Sequence, residues 1–169
     1  IGSAPPSPWT NLAGGPGTVT NAQAHSGSKS VVVSGGPYSS QSAVIDLGTS
    51  YTEFLQYEGW VSNDGGDGFI GFHEQISNMA PSFNAVRITT NREVYFMSDD
   101  RDTGFNVLLK SGLSPGWHSI KVQLNFSTLR GNVFVDNVLY GNSLPISPKN
   151  VTYEGYGSAT LRDVGVKRL

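Results

Sequence analysis

Apolar and polar residues alternate most regularly between positions 116 and 141. There Ile120, Val122, Leu124 and Phe126 are interleaved with Ser119, Lys121, Gln123 and Asn125. A period of two places the two sets on opposite faces of a β-strand, one apolar and one polar. Residues 127–131 predict a turn, with Gly131 taking a positive φ. Val133 and Val135 carry the returning strand, Asp136-Asn137 is a tight-turn pair, and Val138-Leu139-Tyr140 leads away from it. A meander of half-buried strands needs its apolar face covered, and a second sheet does that.

The rest of the chain repeats the pattern in short pieces. Residues 18–22 predict an edge strand, and Val31-Val32-Val33 begins another. Further strands are expected at 42–47, 54–62, 69–75 and 105–110. Residues 84–90 and 93–98 predict a hairpin around Thr90-Asn91-Arg92, and 151–156 and 160–167 close the chain. The runs NDGGDG at 63–68 and 99–104 are turns, while 76–83 and 142–149, interrupted by prolines, read as loops. No segment has a helical period and no repeat is present. Turn signals every ~8–12 residues between such strands predict an all-β protein, a two-sheet antiparallel sandwich.

At 169 residues the chain is expected to form one module, residues 9–169, preceded by the end of a Pro/Ser-rich linker at 1–8. Trp9 is expected to plug one end of the sandwich. There is no cysteine, so no disulfide contributes. A net charge of −2 offers no basic stripe for nucleic acid or an anionic membrane surface. No run approaches the ~18 apolar residues of a membrane span. Low charge and abundant Gly, Ser, Thr and Asn are common in secreted β-proteins. With no initiator Met and no signal peptide, the chain is expected to be a mature fragment or a module cut from a longer protein.

Three segments, AHSGSKSVVVSG at 24–35, GWHSIKVQLNF followed by GNVFVDNVLYG within 116–141, and ATLRDVGV at 159–166, together resemble the concanavalin A-like or laminin-G-like jelly-roll superfamily. The resemblance implies a jelly-roll sandwich with one concave sheet, and sugars bound in that concave groove or at loop ends. Many members are non-catalytic carbohydrate-binding modules of secreted polysaccharide-active enzymes. Others are glucanases, lyases, lectins or adhesion domains.

Sorting strand residues by face gives a candidate site. If Leu55, Tyr57 and Val61 point to the core, Gln56, Glu58 and Trp60 point out. By the same alternation Ile70 and Phe72 leave His73 outside, Val86 and Ile88 leave Arg87, and Val94 and Phe96 leave Tyr95. Were these strands neighbours, Gln56, Glu58, Trp60, His73, Arg87 and Tyr95 would share one groove. An aromatic ring stacks on a pyranose, and Arg, carboxylate and amide groups bond its hydroxyls. The alternative is an ordinary solvent-facing sheet with Arg87 and Glu58 as a cross-strand pair.

Glycoside hydrolysis needs two converging carboxylates. Glu58 has Gln56 and Trp60 as same-face neighbours, and Glu74 falls on the face opposite His73. A polysaccharide lyase needs a cation or amide beside a base and an acid, and Arg87, Gln56, His73 and Tyr95 supply those residue types. The acidic turns holding Asp64 and Asp67, and Asp99, Asp100 and Asp102, read as solvated. The resemblance implies a structural calcium between the backbone near Ser28 and Asp163. His25 and His118 are expected to be hydrogen-bonded framework residues. Asn125 and Asn150 open glycosylation sequons. The expected function is therefore a non-catalytic carbohydrate-binding module, secreted or at the cell surface. It would bind a polysaccharide or oligosaccharide and have a catalytic domain in the same parent chain. The alternatives are a lyase of the same fold and an adhesion or assembly domain without a sugar site.

Overall fold

The computed structural model describes residues 9–11, 18–33, 42–51, 53–63, 66–73, 82–98, 105–148, 151–157 and 161–162. Their strands are β1 (Trp9–Asn11), β2 (Thr18–Thr20), β3 (Ser30–Val33), β4 (Ser42–Tyr51), β5 (Phe54–Asn63), β6 (Gly68–His73) and β7 (Ser82–Ile88). They continue as β8 (Val94–Met97), β9 (Asn106–Lys110), β10 (Trp117–Asn125), β11 (Arg130–Val135), β12 (Val138–Pro145), β13 (Val151–Gly157) and β14 (Leu161–Arg162). Every pairing is antiparallel and the strands form two sheets. One, the meander sheet, has the order β12-β11-β10-β5-β14-β3-β2. The other, the facing sheet, has the order β1-β4-β13-β6-β7-β8-β9.

The alternation read from the sequence sets the core. Leu55, Tyr57, Val61, Ile120, Val122, Leu124, Val133 and Val135 of the meander sheet meet Ile70, Val86, Ile88, Val94 and Phe96 of the facing sheet in one buried cluster. Each such side chain contributes about 1.5–3 kcal/mol by leaving water. The meander is as expected: β10 lies between β5 and β11, and Asp136 and Asn137 both take positive φ at the β11–β12 turn. Asp136 is held there by Ser119, whose N–H donates to Asp136 Oδ1 (3.0 Å) and whose carbonyl accepts from Asp136 N–H (2.9 Å). Arg92, at φ 59°, turns the β7–β8 hairpin.

Polar groups inside the sandwich are bonded across it. Tyr57, fully buried on β5, donates its hydroxyl to the carbonyls of Ile70 (3.2 Å) and Asn84 (2.9 Å) in the facing sheet. Asn84 sits at a register shift between β6 and β7 with φ 48°. Its Nδ2 donates to Ser147 carbonyl oxygen (3.0 Å), and its Oδ1 accepts from Ser147 N–H (2.8 Å). Beside it, Gly71 must be glycine. A Cβ there would lie 2.4 Å from Ala85 Cβ, far inside van der Waals contact.

Three expectations are corrected, and that of Trp9 as a plug lies outside the described residues. Gly131 does not take positive φ; Leu129 does (51°). Gly131 is instead required by packing, since a Cβ would stand 2.9 Å from Ile146 Cγ2. The loop expected at 142–149 is strand as far as Pro145, because β12 continues along β11 across two register shifts. Trp9 opens a short strand paired with β4; its side chain and the linker at 1–8 lie outside the described residues. The third correction matters most. β5 belongs to one sheet and β6, β7 and β8 to the other, so their outward faces point away from each other.

Candidate functional site

The expected single groove therefore divides in two. Gln56, Glu58 and Trp60 lie on the outer face of the meander sheet, while His73, Arg87 and Tyr95 stand on strands of the facing sheet. No cross-strand pair of Arg87 with Glu58 is possible. The cause is the 63–68 turn, which carries the chain from one sheet to the other. Asn63, at the end of β5, pins it: its Nδ2 donates to the carbonyls of Gly66 (2.7 Å), Ile88 (3.1 Å) and Thr89 (3.2 Å).

On the facing sheet Arg87 is already engaged. Its guanidinium forms an ion pair with Asp67 and lies over the Phe69 ring, 5.9 Å from the centroid. Asp67 Oδ1 also accepts from Thr90 N–H (3.2 Å), so this acidic residue is structural rather than a free solvated group. Tyr95, opposite Arg87, donates its hydroxyl to Glu93 Oε2 (3.3 Å). Its pKa is raised, first by partial desolvation, then by the Glu93 charge and the hydrogen bond to Glu93, with Arg87 opposing. His73 ends β6, its backbone between those of Tyr153 and Ser82; its side chain lies outside the described residues.

The meander sheet presents a more open face. Along β5, same-side residues recur about every 6.8 Å, giving the row Phe54, Gln56, Glu58, Trp60. Their register partners on β10 are Asn125, Gln123, Lys121 and Ser119. Gln123 Nε2 donates to Gln56 Oε1 (2.9 Å), which buries the Gln56 amide against its neighbour. Glu58 faces Lys121, whose ammonium sits 4.4 Å above the Phe134 ring of β11. Trp60 is 37% exposed. The His25 ring stacks on it, centroids 3.6 Å apart and planes 13° from parallel, and meets Trp117 edge-on at 6.1 Å.

Two of these residues were legible by parity alone. Phe54 shares the phase of Trp60, and Trp117 that of Lys121. His25 had no such signal, because it arrives from the loop between β2 and β3. The expectation of a framework role holds for His118: its Nδ1 donates to Asp136 Oδ2 (2.7 Å), and its Nε2 lies 2.9 Å from the Ser114 carbonyl oxygen. Asn125 Oδ1 accepts from Thr128 N–H (3.0 Å) within the β10–β11 turn.

Among the described residues no group of three or more His, Cys, Asp or Glu side chains gathers as a metal site. Ser28 is exposed; Asp163, Asp64, Glu74, Asn150 and the acidic turn at 99–102 lie outside the described residues. No described helix is long and apolar enough to cross a membrane.

No family model and no curated protein matches the sequence. Solved structures do match in fold. The chain is similar to a sialidase over 95% of its own length at 11% identity (TM-score 0.70), spanning 17% of that protein. It is similar to the carbohydrate-binding module CBM66 from Bacillus subtilis at 14% identity, covering 95% of this chain and 94% of that one (TM-score 0.57). It is also similar to the potassium-bound carbohydrate recognition domain of Emp46p at 11% identity, covering 95% and 87% (TM-score 0.61). At these identities the likeness is one of fold, and the fold is the jelly-roll sandwich the sequence resembles.

Proposed function

We propose that this chain is a non-catalytic carbohydrate-binding module whose site is the outer face of the meander sheet, centred on Trp60. One observation carries the reading: an exposed indole, stacked by His25, which Trp117 meets edge-on, stands at the end of a row of amide, carboxylate and ammonium groups. A sugar offers an apolar ring face edged by hydroxyls, and this surface offers the complement. His25, Trp60 and Trp117 gather at one end of this face, whereas an adhesion domain without a sugar site would have no such group. Names among the similar folds, a carbohydrate-binding module and a carbohydrate recognition domain, support the same reading.

The chemistry of these groups disfavours catalysis. Glu58 faces Lys121 rather than a second carboxylate. Arg87 and Tyr95, two of the residues a lyase would use, are bonded to Asp67 and Glu93, and Gln56 is on the other sheet. The proposal includes secretion or display at the cell surface and a catalytic domain elsewhere in the parent chain; the sialidase, in which a unit of this size fills 17% of the protein, is a parallel. A structural calcium held by Asp163 and backbone near Ser28 belongs to the same reading. A rise in melting temperature when calcium is restored after chelation would support it, and no rise would remove it.

The test is retention of the domain on insoluble polysaccharides and on a glycan array, wild type against Trp60→Ala. Retention that depends on Trp60, with no sugar released, supports the proposal. Release of unsaturated sugars absorbing in the ultraviolet would replace it with a lyase.

A further inference from the structure

We infer that the meander-sheet face recognises an internal stretch of a linear, uncharged polysaccharide, lying along β5 with Phe54 as a second stacking platform. The inference rests on the carbohydrate-binding reading above and deepens it. Phe54 is 50% exposed and begins the strand that carries Trp60. Its register partner, Asn125, closes β10. The two rings stand six positions apart on one side of one strand, which spans roughly 20 Å at ~3.4 Å per residue. A single hexose is much smaller than that gap. Both rings can be covered at once only by a chain of several sugar units, and a site for a terminal sugar has no use for the far ring.

The surface between the rings suits such a chain. The bonded amides of Gln56 and Gln123 form a fixed pair of donor and acceptor groups across β5 and β10. Glu58 and Lys121 are register partners, so the middle of the row carries one carboxylate and one ammonium and no net charge, with the ammonium lying over Phe134. A uronic acid or sulfated chain would meet no net positive charge there. A neutral chain keeps its hydroxyls bonded to both groups without leaving an ion exposed to a like charge. Phe54 is also apart from the framework: its ring is not in the buried cluster, so it can be removed without opening a cavity.

The experiment is calorimetric titration of the whole chain with cello-, xylo-, manno- and chito-oligosaccharides, from the monosaccharide to the hexasaccharide. Affinity is expected to climb with length and to level off once both rings are spanned. Phe54→Ala should weaken binding of the longest ligand about two- to tenfold while leaving the disaccharide unchanged, as the loss of one aromatic contact does. Phe54→Trp should restore the length dependence, and circular dichroism should show both variants folded. If binding depends on Trp60 but is equal at every length, or Phe54→Ala changes nothing, this inference is overturned and the carbohydrate-binding reading stands. Preference for anionic oligosaccharides overturns the uncharged substrate class. If no glycan binds, or Trp60→Ala is harmless to binding, the underlying reading falls as well.

Discussion

The imidazole of His25 lies flat on the indole of Trp60, centroids 3.6 Å apart and planes 13° from parallel. The stack joins a loop residue to a strand residue 35 positions on, and it covers one side of an indole that stays 37% exposed. Trp60→Ala should therefore abolish the platform without opening the core. Binding is expected to weaken about tenfold or more, with the melting temperature nearly unchanged. If the variant unfolds and its residual folded fraction binds normally, the site lies elsewhere.

Asn84→Ala is expected to destabilise the sandwich by roughly 2–4 kcal/mol. The substitution leaves the Ser147 N–H and carbonyl without their partners and puts a β-carbon residue without a side-chain amide at positive φ. Urea denaturation, read as a shift in midpoint at constant slope, measures it.

Gly71→Ala should cost about 1–3 kcal/mol, because its Cβ would fall 2.4 Å from that of Ala85. The double variant Gly71→Ala with Ala85→Gly removes the clash and should recover most of the loss. A double variant as unstable as the sum of the two singles would place the cost elsewhere.

The alkaline limb of stability should report on Tyr95. Its folded pKa is raised, so the folded state holds the phenolic proton more tightly than the unfolded chain does. The resulting stabilisation is complete below the unfolded tyrosine pKa of about 10. It disappears as pH rises through the higher folded value. Tyr95→Phe should flatten the fall in melting temperature above that pH, and ultraviolet titration of tyrosinate should lose one late-titrating group.

Face and core were legible because alternation is local. The phase read from Leu55, Tyr57 and Val61 places each of them in the core as found. Sheet membership was not legible in the same way. Trp60 on β5 and Arg87 on β7 are only two strands apart in the chain, yet Asn63 and the turn after it send β6 to the opposite sheet. Consecutive strands in a jelly roll need not be neighbours, and nothing in a period of two distinguishes crossing over from pairing. The role of Gly131 was misread for a related reason. A glycine after a turn suggests backbone freedom, while its actual constraint comes from Ile146, fifteen residues later.

The bonds of Asn84 bear on how the domain can change over time. One side chain fastens the middle of the facing sheet to the segment just after β12, and its backbone carbonyl holds the Tyr57 hydroxyl of the meander sheet. The stretch at 146–148 looks like a connection, with no strand assigned to it, but it is a closing bolt. An insertion there would break both Asn84–Ser147 bonds and so unfasten the end of β12 from the facing sheet, while leaving the Tyr57 bond in place.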